Sequence, residues 1–400
     1  MWFLLSCTPE HLPALADSAP QAHLQRVEAL DGALLASWEG EGVLRVEGPN
    51  VDRRRAANDE LLVEGLDPGE YRLWLEGSEV ILTQLVGENR LVLRSELTLP
   101  GAMDVWGEGD IAVLAGGDHP SVEVLVVDVS DPLAPVELSR IEGPSPVRDV
   151  KLRDGLLVAT ADEPELTRLY DLSDPTEPRL LAELPGAHNV ALGPGVLVAV
   201  HKQTMSLYDL ADPSSPVWLS DWSAGPPPHD ASWVEDRLYV AWGNGFAVLD
   251  VSDPSSPELV WQQTVQGDFP SIHNAWPLGE HVITSQEVVG GHLEVWAQDQ
   301  GRVGAFSIGA NDVHNVYAVG DLAFAAWYLD GVVALDLSDP TAPVLLGHLE
   351  TWQGIKPTPD DRPVIQGAWG LWPFGDHILV GDTERGLLVV DFVPLVVEAG

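Results

Sequence analysis

Beyond about residue 90 the chain is written almost entirely in short runs of alternating apolar and polar residues, broken by Gly, Asp and Pro. Residues 231–265 show the unit: ASWVE, RLYVAWG, FAVLDVS and ELVWQQTV. A period of two predicts strands, and no stretch of useful length carries the 3.6-residue period of a helix. The link between the third and fourth runs is the most repetitive. It reads LVVDVSDPLAP ending at Pro135, RLYDLSDPTEP at Pro178, SLYDLADPSSP at Pro216, FAVLDVSDPSSP at Pro257 and VALDLSDPTAP at Pro343. Proline lacks a ladder N–H and presets a turn, so each phrase ends a strand.

The aspartate before each of these prolines sets the period. Asp131, Asp174, Asp212 and Asp253 are 43, 38 and 41 residues apart, and Asp339 follows after 86, two periods later. HLEVWAQDQGRV (His292 to Val303) is the diverged copy between them. Four strands every 40 or so residues predict the blade of a β-propeller. A second marker counts the blades. Met103, Arg148, His188, His229, His273, His314 and Trp369 each lie six residues before a turn residue: Gly109, Asp154, Pro194, Glu235, Gly279, Gly320 and Gly375. The expected fold is all-β, a seven-bladed β-propeller over residues 91–400. Two segments compete to supply the last strand of the last blade, Leu91 to Leu99 and Val393 to Glu398.

Residues 25–90 lack the repeat but alternate as short strands. LLASWEG and LLVEGLDPGEYRLWLEG resemble a fibronectin type III domain, which implies a small β-sandwich whose expected role is spacing or adhesion. Residues 1–24 read as the remnant of a lipoprotein-type signal, followed by a Pro/Ala/Ser tether. Leu-Leu-Ser-Cys resembles a bacterial lipobox, and that resemblance makes Cys7 a lipidation site and the chain an exported one. A cell-surface or outer-membrane lipoprotein is expected, with a periplasmic or secreted protein as the alternative. No run reaches the roughly 20 apolar residues of a membrane helix, so the membrane is met only through the lipid.

Charge narrows the partners. With 62 acids against 20 bases the formal net charge is −42, which repels nucleic acid. The single cysteine excludes a disulfide framework and a Cys-based zinc site. No Gly-rich phosphate loop, His-Glu-x-x-His or Gly-x-Ser-x-Gly occurs.

The LVVD and VLDVSDP phrases resemble the LVIVD repeat. EVVGGHLEVW, VHNVYAVGDLAFAAWYLDGVVALDLSDPTAPVLLGHLETW and GAWGLWPFGDHILVGDTERGLLVVDF are similar to the choice-of-anchor B proteins. The resemblance implies a secreted or surface-attached bacterial propeller without an assigned reaction.

Candidate chemistry sits where each blade begins. His188, His229, His273 and His314 fall at one height in four adjacent blades, and an Asp or Asn follows in six of seven. An Asp/Asn column that nearly every blade repeats reads as a structural tie. Neighbouring strand residues face opposite ways, so only one of the two columns is expected to point fully into the channel. Imidazoles converging from separate strands suit a transition metal. Loops on the same face add Glu287, His292, Trp327, Tyr328 and Asp382 to the ligand-binding candidates. Glu287 and His292 are expected to fold together across the Gly290-Gly291 turn, and Trp327-Tyr328 with Trp369-x-x-Trp372 to form an aromatic floor. The linker from 351 to 370, with Asp360 and Asp361, is expected to cover the mouth.

The sequence leans to a non-enzymatic, monomeric binding module that takes a protein, glycan or small ligand at the channel mouth and requires no cofactor. The alternative is a metal-dependent hydrolase or oxidoreductase, with the four histidines as metal ligands and Glu287 as general base. A transition metal or Ca2+ is the cofactor considered.

Overall fold

The computed structural model describes residues 90–393, apart from 144, 163–164, 266–270, 289, 309–311 and 354–364, and the strand backbones between His23 and Val86. Cys7, Asp360 and Asp361 lie outside the described residues, as do most of the tether and of the linker expected over the mouth. Every regular element described is a strand. Between His23 and Val86, seven strands form a three-stranded and a four-stranded sheet.

The remainder is seven four-stranded antiparallel sheets. Their inner strands are Val105–Glu108, Val147–Arg153, Asn189–Gly193, Asp230–Val234, Ile272–Leu278, Val316–Val319 and Ala368–Phe374. This is the seven-bladed propeller expected from the repeat. The two middle strands of a blade are covered on both faces by the neighbouring blades. They therefore read as near-continuous apolar runs: Val196–Val200 is buried at all five positions. Outer strands such as Glu258–Thr264 are mostly exposed. The core consequently lies between blades. Val198 and Leu207 of the third blade pack with Leu238, Val240 and Trp242 of the fourth. Each such side chain contributes about 1.5–3 kcal/mol by leaving water.

Polar ties reinforce that packing at two radii. Near the axis, the side chains of Asp104, Asp149, Asn189 and Asn274 accept the backbone N–H of Val150, Val190, Ala231 and Val316, each one blade ahead, at 2.7–3.3 Å. Gly370 holds the equivalent place in the seventh blade. A Cβ there would stand 2.6 Å from Asp104 Oδ1, so the first blade's aspartate occupies the space. At the rim, Ser95, Ser139 and Ser220 donate to the carbonyls of Pro132, Pro175 and Pro254 in the next blade's turn, at 2.6–2.7 Å. In each turn two aspartates, such as Asp250 and Asp253, accept backbone N–H groups two residues on, at 3.0 Å. The repeated phrase thus shapes its own blade and also docks it on its neighbour.

The competition for the last strand is settled in favour of Leu91–Thr98. It pairs antiparallel with Gly386–Phe392 and completes the seventh blade, from Thr98 opposite Gly386 to Leu91 opposite Phe392. The two ends of the propeller are thereby hydrogen-bonded to each other. Deleting residues 91–98 removes that ladder and bares an apolar edge strand. The expected outcome is loss of a single cooperative thermal transition and a shift to aggregates on size exclusion. An unchanged melting curve would overturn this account of closure.

Candidate functional site

Each inner strand begins with a bulge. The N–H groups of His188, His229 and His314 reach Val200, Ala241 and Ala326, the carbonyls already opposite the following residue. In the second, fifth and seventh blades the register slips across Arg148, His273 and Trp369. A bulge sets two residues against one and breaks the strict alternation of faces. Both columns accordingly engage the adjacent blade: the Asp/Asn column ties backbone, and the column before it forms a ring of touching side chains. The Asp/Asn column is thus the structural tie expected from the sequence.

The imidazoles stand side by side. Ring centroids are 4.5 Å apart for His188–His229, 4.4 Å for His229–His273 and 3.9 Å for His273–His314, and Trp369 follows at 4.8 Å from His314. His188 Nε2 and His229 Nε2 are 3.2 Å apart. Met103 continues the ring beyond Trp369 in one apolar cluster with Tyr328, and Arg148 Nη1 lies 3.4 Å from the Met103 sulfur. Exposure is graded: His188 is open to solvent, His229 half-buried, and His273 and His314 buried.

Glu287 enters from the loop after the second strand of the fifth blade. Its Oε2 lies 3.9 Å from His273 Nε2, and its Oε1 accepts a short hydrogen bond from the Tyr328 hydroxyl. Tyr328 is fully buried and sits at φ +39°, a region bulky side chains avoid. Its carbonyl accepts the N–H of Ala368 at 3.0 Å, and a Cβ on Gly367 would stand 2.4 Å from that oxygen. A strained residue held by such close packing is characteristic of a functional position. One donor atom each from His229, His273 and Glu287 lie within 4.8 Å of one another, close enough for one ion to draw them together.

Burial sets the electrostatics. It pushes the pKa of His229 down to about 2, helped by His273 and His188, and that of His273 down to about 3, helped by His188. His314 is lowered in the same way, by burial and then by its imidazole neighbours. These rings are neutral at physiological pH, the form that binds metals. Burial raises the pKa of Glu287, although its bond from Tyr328 opposes this. Asp312, two residues before His314 and only 1% exposed, has no hydrogen-bond partner for either oxygen. Burial, then Glu287 and Asp330, push it up to about 7.

The other sequence candidates are spent elsewhere. His292 turns from Glu287 to Glu294, which Arg302 also binds, at 3.1 and 2.6 Å. Trp327 is wholly buried between blades, beside Phe306, and takes no part in the mouth. Asp382 is wholly buried and caps its own turn, accepting the N–H groups of Glu384 and Arg385 at 2.9 and 3.1 Å. Trp369 and Trp372 do not share a floor. Trp369 joins the ring, whereas Trp372 stacks on Trp106 at 3.5 Å deeper in the channel, with Tyr317 at 5.3 Å. Beyond the stack lies a cavity of about 210 Å3, lined in part by Lys151, Asp230, Ser232 and Trp233. Lys151 is bound there by Asp104 at 2.9 Å and by Asp149. Asp312 and the role of Arg148 escaped the sequence reading, since nothing local marks either.

Three segments, residues 101–142, 231–264 and 310–351, match the LVIVD repeat. No curated protein matches the chain. Among solved structures it is similar to the WD40 β-propeller domain of Doa1, with TM-score 0.57 and 12% identity over 76% of this chain and 97% of that one. It is also similar to the computationally designed Ika8 protein, with TM-score 0.51 and 10% identity over 98% and 100%. BamB from Moraxella catarrhalis gives TM-score 0.51 and 11% identity over 76% and 98%. These likenesses bear on the fold alone.

A carboxyl whose folded pKa rises from 3.8 to about 7 holds its proton more tightly folded than unfolded. Its contribution to stability is intact below the unfolded value and is lost as pH rises toward the folded one. Asp312→Asn is therefore expected to melt above the wild type at pH 8 in metal-free protein, with the gap closing toward pH 4. Equal melting at pH 8 would contradict a buried, uncompensated charge.

Proposed function

We propose that this chain is a metal-binding propeller that captures a ligand at its channel mouth, with a transition-metal ion held by His229, His273 and Glu287. The observation that carries the reading is the convergence of two imidazoles and a carboxylate from separate loops and strands of adjacent blades. Nitrogen donors with one carboxylate suit zinc or copper, whereas Ca2+ takes 6–8 oxygen ligands. Tyr328 orients Glu287 as an outer partner of a metal ligand does. As a ligand held by that phenol, Glu287 is poorly placed to act as a general base.

Display at the cell surface, attachment through a lipid on Cys7, and spacing by a fibronectin type III-like sandwich at 25–90 belong to the same proposal. They are supported by the N-terminal sequence and by the choice-of-anchor B resemblance of the last three blades. The partner in this reading is a ligand met outside the cytoplasm, and the module works as a monomer. Asp312, a buried carboxyl with no hydrogen-bond partner that feels the charge of Glu287, favours a second reading in which a bound ion would supply hydrolytic chemistry and Asp312 would take up the proton released.

Elemental analysis of the purified chain, before and after loading with zinc or copper, tests the proposal beside a His273→Gln, Glu287→Gln double variant. One metal ion per chain, lost in a variant that still melts cooperatively, is the expected result. Wild-type protein that takes up no metal on loading would remove the basis for it.

A further inference from the structure

The approach to the proposed metal is asymmetric. On one side of the ring Met103, Trp369 and Tyr328 are buried against one another and close the wall. On the other, His188 is exposed and the Arg148 side chain keeps 30% of its surface in solvent. A molecule reaching His229 and Glu287 from outside thus passes the neighbouring blades two and three, at Arg148 and His188.

Arg148 is the one fixed cation among the seven ring positions; the others are Met103, four histidines and Trp369. Its Nη1 lies 3.4 Å from the sulfur of Met103, which packs with Tyr328, and this places its charge at the same mouth as the Tyr328–Glu287 pair. One carboxylate it meets, Asp118, is 69% exposed and stands 3.7 Å away, a loose surface pair of small worth. Asp118 also shows what chemistry the guanidinium accepts: an oxyanion arriving from the solvent side. Arginine is suited to this, since its planar fork pairs with both oxygens of a carboxylate or phosphate.

Charge on the whole molecule strengthens the point. A net charge of −42 repels anions from the surface at large, so an anionic ligand needs a local cationic site. The buried, neutral imidazoles of His229, His273 and His314 do not supply one. Arg148 and a bound divalent ion together do.

Resting on the metal centre proposed above, we infer that the mouth selects a small oxyanion, a carboxylate or a phosphate, gripped by Arg148 on the open side and coordinated to the metal held by His229, His273 and Glu287. His188, exposed and beside Arg148, lines the entry.

The test is calorimetric titration of the full chain, zinc-loaded and metal-free, with benzoate, inorganic phosphate and the neutral isostere benzamide. Benzoate or phosphate is expected to bind the zinc-loaded protein, and the tighter of the two names the source. Benzamide is expected to bind at least ten-fold more weakly. Arg148→Gln should lower anion affinity ten-fold or more with zinc stoichiometry retained, and Arg148→Lys should restore part of it. Benzamide binding as well as benzoate, or anion affinity unchanged in a folded Arg148→Gln protein, overturns the inference. Failure of the metal reading would look different: no zinc uptake, with any anion binding that remains in the metal-free protein still dependent on Arg148.

Discussion

The whole molecule depends on each blade being satisfied by the next. A single four-stranded blade presents two apolar faces and cannot stand alone. Its core exists only between blades, and the direction of dependence is written in the hydrogen bonds that reach forward from Asp104, Asp149, Asn189 and Asn274 to the next inner strand. Such a chain of dependences is stable only when it closes. Leu91–Thr98 closes it by lending the last blade a strand from before the first, so the earliest and latest parts of the propeller are hydrogen-bonded to each other. Gly370 marks where the seam meets the ring, giving up its own side chain to admit Asp104.

The same architecture explains why the mouth holds chemistry. A bulge at the start of every inner strand brings a second side chain to the axis without cost to the tie beneath it. Seven blades then deliver seven side chains to one small circle, where neighbours come within 3.9–4.8 Å from His188 round to Trp369. Crowding of this kind excludes water, and exclusion of water keeps the imidazoles of His229, His273 and His314 neutral and leaves Asp312 uncompensated. The donors are ready for an ion because the fold has already removed the proton that would compete with it.

Repetition made the propeller legible in the sequence: the spacing of Asp131, Asp174, Asp212 and Asp253 sets the period, and the residues from Met103 to Trp369 count the blades. The seam was not unique in the sequence, since Leu91 to Leu99 and Val393 to Glu398 are both apolar enough to serve. At the mouth, the height of the four histidines could be counted from turn to turn, but their separation depends on the radius of a circle that no local pattern encodes. Glu287 and His292 flank one Gly-Gly turn, yet the turn does not decide which way each side chain faces, and Glu294 claims the histidine. Trp327 and Tyr328 are adjacent, but they lie in a tight turn closed by Gly331, where the positive φ of Tyr328 accompanies one ring in the core and one at the mouth. Asp312 is defined by the lack of a partner, a property of three-dimensional surroundings alone.

The stack of Trp106 on Trp372, with Trp276 and Tyr317 packed edge-on around it, draws its rings from the inner strands of the first, fifth, sixth and seventh blades. Rings from both sides of the seam therefore meet in one cluster. Aromatic pairs that interlock edge to face resist sliding, so the cluster fastens the first blade to the seventh by shape as well as by the borrowed strand. A circle of blades pinned in this way has no end from which to unravel, and heat must melt it as one body.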